Sequence, residues 1–112
     1  MEREIEKFII DIQKAISEIK MFTMGKEFKD FSNDRGLQLI VERELEIIGE
    51  AMNRIIRINP ETYEMIPDIH KIIGLRNILA HGYDIIEYEI LWDIVENKIK
   101  TLEEDISKIK QS

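Results

Sequence analysis

The chain has 112 residues, no cysteine and a formal net charge of −7, with 44% hydrophobic and 35% charged residues. This is too apolar for a disordered chain and long enough for one domain with a real core, expected to span residues 1–112. The lack of cysteine excludes disulfides, thiolate zinc sites and a cysteine nucleophile, and the acidic balance disfavours non-specific binding to nucleic acid while leaving room for a small site with a few cations.

From Met1 to Lys7 charged and apolar residues alternate, unlike a signal peptide. No apolar run approaches the ~20 residues of a membrane span, so a cytoplasmic protein is expected. Ile5, Phe8, Ile9, Ile12, Ile16 and Ile19 recur at helical steps and predict one amphipathic helix over residues 2–22, ended by Gly25. Phe28 and Phe31 suit a short helical turn or packed loop, and Ser32-Asn33-Asp34 offers capping oxygens to the next helix. Leu37, Ile40, Val41, Leu45, Ile48, Met52, Ile55 and Ile56 make the stripe of that second long helix, over 36–58. Gly49 sits within that stripe, where a close helix–helix approach would justify its cost of ~1 kcal/mol. Asn59-Pro60 closes this helix. Pro67 suits the first turn of a third helix, over 68–80, with Gly82 as its left-handed end. Asp84 to Glu87 resembles a capping box for a last helix over 87–109, whose Val95, Ile99, Leu102, Ile106 and Ile109 step by four and three. The fold class expected is all-α, an antiparallel four-helix-type bundle with a short additional helical segment. The second long helix has apolar residues on more than one flank, so a homodimer is expected.

Chemistry concentrates in Leu75-Arg76-Asn77-Ile78-Leu79-Ala80-His81-Gly82-Tyr83-Asp84. Residues on a helix step by ~100°, so Asn77 and His81 share a face, whereas Arg76 and His81 lie roughly 140° apart. Arg76 and His81 can converge if the helix loosens at Gly82, or if a second copy faces the first across a two-fold axis. Such a pair suits cleavage of RNA. Histidine titrates near neutrality and can take the proton of a ribose 2′-OH or give one to the leaving 5′-oxygen. Arginine matches phosphate oxygens and stabilises the charge that builds on phosphorus. The 2′-OH is an internal nucleophile, so no metal or cofactor is called for. Spacing alone also fits an arginine paired with glutamate and a histidine that caps a helix end.

Arg76, four residues, His81, one residue and Tyr83 resemble the R-x4-H-x-Y motif of the HEPN superfamily, specifically its HepT-like toxin branch. The order of helices is similar too, with Glu42 to Ala51 on the second long helix and Gly74-Leu75-Arg76-Asn77 leading into the motif. The resemblance covers essentially the whole chain. It implies a homodimeric helical bundle whose Arg76 and His81 are catalytic at the dimer interface, in a metal-independent ribonuclease toxin. It implies that Asn77 helps shape the site. It further implies that Tyr83 receives AMP groups from a partner antitoxin, a minimal nucleotidyltransferase of MntA type, which would set bulk and phosphate charge beside the RNA cleft.

Among the other residues, His70 reads as a surface position and Trp92 as core or interface rather than a base-stacking platform. Arg43, Arg54 and Arg57 are spaced to pair with Glu42, Glu46 and Glu50 on a mixed-charge face. By the resemblance Glu46 is a candidate to orient a site cation. Met21 and Met24 read as packing residues, and Tyr63 and Tyr88 have no evident site context. Two other functions fit the same residues: a non-catalytic dimer that docks a nucleotidyltransferase, with Arg76 and His81 holding the interface, and a nucleotide-binding protein in which Arg76 holds a triphosphate.

Overall fold

The computed structural model describes residues 3–66, 69–81 and 87–111, with side chains at all of these except 63, 69, 78–81, 110 and 111. Among the described residues every element is helical. They are α1 (Arg3–Thr23), α2 (Phe28–Ser32), α3 (Arg35–Ile58), α4 (Thr62–Met65), α5 (Ile69–His81), α6 (Tyr88–Asp93) and α7 (Ile99–Gln111), with one wide π turn, Ile94–Lys98, joining α6 to α7. None of these helices is long and apolar enough to cross a membrane.

The boundaries follow local chemistry. Gly25 ends α1 with a φ of +74°, a left-handed conformation that costs glycine little. Asp30 Oδ2 accepts a hydrogen bond from the Glu27 N–H at 2.8 Å and opens α2. Asp34 caps α3 by accepting from the Leu37 N–H at 3.0 Å, so the capping oxygen comes from the last residue of Ser32-Asn33-Asp34. Asn59 leaves the helical region (φ −136°, ψ 91°) ahead of Pro60. The short α4 between the two prolines had no periodic signal, yet Thr62 and Ile66 are both buried there. Pro67, Gly82 and Asp84 to Ile86, which carry the expected start and end of the third helix and most of the capping box, lie outside the described residues.

The stripes read from the sequence form the core. Ile5, Ile9, Ile12, Ile16 and Ile19 of α1 meet Leu37, Val41, Leu45, Ile48, Met52 and Ile55 of α3. α3 packs along α1 and along α5, and α7 packs on α1 and α4. Phe31 of α2 is fully buried, with Trp92 tilted against it at 5.1 Å and Tyr88 edge-on at 6.0 Å. Gln38 ties α2 to α3 by donating to the carbonyls of Phe31 and Ser32 at 2.9 and 3.2 Å.

Two expectations change. Met21 and Met24 are exposed, at 60% and 76%, and do not fill gaps in the core. The last helix is not one continuous α-helix: the Ile99 N–H reaches back to the Ile94 carbonyl, a five-residue step, and the expected seam residue Val95 is only half-buried within that wide turn. Trp92 Nε1 donates to Glu96 Oε1 at 2.6 Å across the same turn.

Candidate active site

α3 and α5 touch where α3 has no side chain. A methyl group built on Gly49 would collide with Arg76 Cβ and lie 2.9 Å from Arg76 Cγ and 3.1 Å from the Ile72 carbonyl. Gly49 therefore lets Arg76 lie directly against the α3 backbone. The close approach anticipated for this glycine is made by α5, and it brings the first candidate site residue to the next side chain of α3, Glu50.

The Arg76 guanidinium is held from two sides. Its Nη2 pairs with Glu50 Oε2 at 2.8 Å, and its Nη1 donates to Asn77 Oδ1 at 3.0 Å. The other Glu50 oxygen accepts from Arg54 Nε at 2.9 Å. Glu50 thus bridges two cations. The hydrogen bond from Arg54, with the charges of Arg76, Arg54 and Arg57, holds its carboxyl below the usual carboxylate range against a smaller opposing effect of burial. Arg76 Nε is buried and has no partner among the described residues, while the side chain as a whole keeps 24% of its surface exposed. The guanidinium is consequently held at both terminal nitrogens, while part of the side chain stays accessible.

Arg76 borders a cleft of about 190 Å³ between α1, α3 and α5, lined also by Phe8 and Asp11 and by Arg43, Glu46, Ile47, Glu50 and Ala51. A larger groove of about 520 Å³ lies between α3, α5 and the α6–α7 segment. Its walls are mainly aliphatic, with Lys71, Asp93 and Lys98 the charged residues among its lining.

The structure brings Arg76 and Asn77 together. It places His81 by its backbone, as the last residue of α5. α5 is unbroken from Ile69 to His81, so positions 76 and 81 stay roughly 140° apart around one axis. Tyr83 lies outside the described residues. The carboxylate on Arg76 is Glu50, whereas Glu46 pairs with Arg43 at 3.3 Å. Arg54 and Arg35 pair with Glu50 and Glu42, as a mixed-charge face requires. His70 is exposed, and Trp92 is 5% exposed, a core residue. The role of Glu50 had a signal in the sequence: it comes directly after the one glycine of the α3 stripe and stands four residues before Arg54. Among the described residues no group of three or more His, Asp or Glu side chains is placed to hold a metal ion.

Comparison with known proteins adds a consistent picture. Residues 12–109 match the family model described as "Ribonuclease HepT-like". The chain is 36% identical over 111 residues to a Methanocaldococcus jannaschii protein named "Putative RNase MJ1380", covering 97% of this chain and 93% of that protein. It is 32% identical over 114 residues to "Probable ribonuclease HepT" of Thermococcus cleftensis, covering 99% of this chain and all of that protein. It is 31% identical over 107 residues to "Putative RNase TTE0752" of Caldanaerobacter subterraneus, covering 96% and 91%. No solved structure matches the chain at a significant level.

Proposed function

Because the chain belongs to the HepT-like ribonuclease family, we propose that it is a metal-independent endoribonuclease toxin, with Arg76 and His81 as its catalytic residues. The observation that carries the reading is the state of Arg76. Its guanidinium is anchored by Glu50 and Asn77, is partly exposed, and borders a cleft. An arginine held in this way meets a phosphate without first losing side-chain freedom.

In the reaction, the ribose 2′-OH attacks the adjacent phosphorus as the His81 imidazole takes its proton. The 5′-oxygen then leaves with the proton that a His81 imidazolium gives up to it, and the ends are a 2′,3′-cyclic phosphate and a 5′-OH. Arg76 stabilises the negative charge on the phosphoryl oxygens in the transition state. Positions 76 and 81 diverge by roughly 140° on one helix, which supports a homodimer in which the arginine of one copy and the histidine of the other flank a shared cleft. Exposed Ile10, Leu39 and Ile90, each about half accessible, add apolar surface for a second copy to cover. Tyr83, two residues beyond His81, is the proposed site of AMP transfer by a minimal nucleotidyltransferase antitoxin; the added phosphate would repel RNA from the cleft.

The test is incubation of the purified protein with a mixed RNA pool in EDTA. Cleavage is expected, with cyclic phosphate ends, and Arg76→Ala and His81→Ala each lower it by at least ~100-fold. Intact RNA throughout overturns the nuclease reading. The Glu50–Arg76 ion pair gives the other reading, a non-catalytic dimer that docks a nucleotidyltransferase, its footing. Under that reading His81→Ala changes dimer stability and there is no cleavage to lose.

A further inference from the structure

We propose that the cleft beside Arg76 is a nucleobase subsite that selects guanine next to the scissile phosphate. The inference rests on the ribonuclease reading for its substrate, and on four features of the cleft for its specificity.

The first feature is size. At about 190 Å³ the cleft is smaller than the roughly 300 Å³ at which pockets begin to enclose drug-sized ligands. It takes a fragment the size of one base, not a whole nucleoside triphosphate. The second is its apolar surface. The half-buried Phe8 ring, Ile47 and the buried Ala51 give a base one aromatic partner and two aliphatic ones, and stacking on an aromatic ring is the usual way a protein holds an unpaired base. The third is position. Arg76 belongs to the lining, so a base seated there leaves its own phosphate within the sphere of the guanidinium.

The fourth feature sets the choice of base. Three carboxylates reach this cleft. Glu46 is committed to Arg43, and Glu50 to Arg54 and Arg76. Asp11 is the remaining one, half-buried and with no ion pair or hydrogen bond among the described residues. An ionised carboxylate only accepts hydrogen bonds, and it binds best to two donors side by side. Guanine alone offers that pair, N1–H beside the N2 amino group. Adenine and cytosine set an acceptor nitrogen beside their amino group, and uracil flanks its single N–H with two carbonyl oxygens. A lone Asp11 therefore attracts guanine and repels an edge of every other base.

Matched oligonucleotides that vary a single base at the cleaved position test this. We expect kcat/KM to favour guanine by roughly 10-fold, in line with one bidentate contact. Asp11→Asn brings the four bases close to parity, by lowering the guanine value and relieving the repulsion of the others, and Phe8→Ala lowers all four. A readout without turnover runs beside it: titration of the protein with guanosine, adenosine, cytidine and uridine 3′-monophosphates, monitored by the amide signals around Phe8 and Asp11. Selective guanosine binding lost in Asp11→Asn, even with no cleavage of any RNA, supports the subsite and overturns only the nuclease reading. Cleavage without base preference, or a preference untouched by Asp11→Asn, overturns the subsite and leaves the nuclease reading standing. With neither cleavage nor selective binding, both fall.

Discussion

Glu44 and Glu50 stand six residues apart on α3 and meet opposite fates. Glu44 is 8% exposed, and its Oε2 has no partner among the described residues. Burial, and then the nearby Glu18 carboxylate, pushes its pKa up, with Arg43 and Lys14 opposing. The folded protein therefore binds this proton more tightly than the unfolded chain. The favourable contribution is complete below the ordinary carboxylate range and is lost as pH rises through the raised value. Glu50 runs the other way: its contribution is present above the ordinary value and is lost as pH falls through the lowered one. Glu44→Gln keeps the volume, removes the charge and supplies an amide that can donate to Glu18. It is expected to stabilise the fold near pH 7 by about 1 kcal/mol, and the gain should vanish in acid, where Glu44 is already protonated. Thermal melts across pH check this; an equal gain at every pH would show that charge is not the cause.

At the scale of elements, the contact of α3 with α5 decides where the candidate site sits. Gly49→Ala places a methyl group against the Arg76 stem and the Ile72 carbonyl. The stem is anchored through Glu50, and the carbonyl is backbone, so neither yields without moving α5. The variant is expected to lose about 1–3 kcal/mol of stability and most of its RNA cleavage, because Arg76 shifts from the cleft. Urea melts and the cleavage assay measure the two effects separately, and an unchanged variant in both would refute the argument.

The same contact shows what the sequence made legible. The apolar stripes of α1 and α3, the cap at Asp34 and the ends at Gly25 and Asn59 are local signals, and local signals survive in a single chain. So did the close approach at Gly49, because a glycine inside a helical stripe needs a neighbour to justify it. The partner of Arg76 was harder. Glu46 and Glu50 have the same chemistry and stand on adjacent turns, and only the height at which α5 crosses α3 decides between them. The wide turn at Ile94–Lys98 was hidden for a related reason: steps of four and three fit an uninterrupted helix, and nothing in Val95 itself announces a change of pitch.

For the whole molecule, a chain of net charge −7 must bind a polyanion through a few placed cations. Arg76, Arg54 and Arg57 gather around Glu50, and Arg43 lines the same cleft as Arg76. The helix geometry separates the two proposed catalytic positions within one copy, so the reaction should belong to the dimer. Specific activity is expected to fall on dilution, with the same midpoint as dimer dissociation in sedimentation. A monomer that retains full activity would overturn the shared-cleft arrangement and leave Arg76 to act with some other group.

The wide turn between α6 and α7 also leaves a degree of freedom in the length of the chain. A turn closed by a five-residue step takes one more residue than an α-turn to bring the helix round. Leu91 and Trp92 before it and Ile99 and Leu102 after it nonetheless all reach the same core. A copy lacking one residue of Ile94–Lys98 can close the gap as ordinary α-helix and keep both ends in register. A deletion in α3 ahead of Glu50 has no such slack, because it would turn Glu50 and everything beyond it away from Arg76.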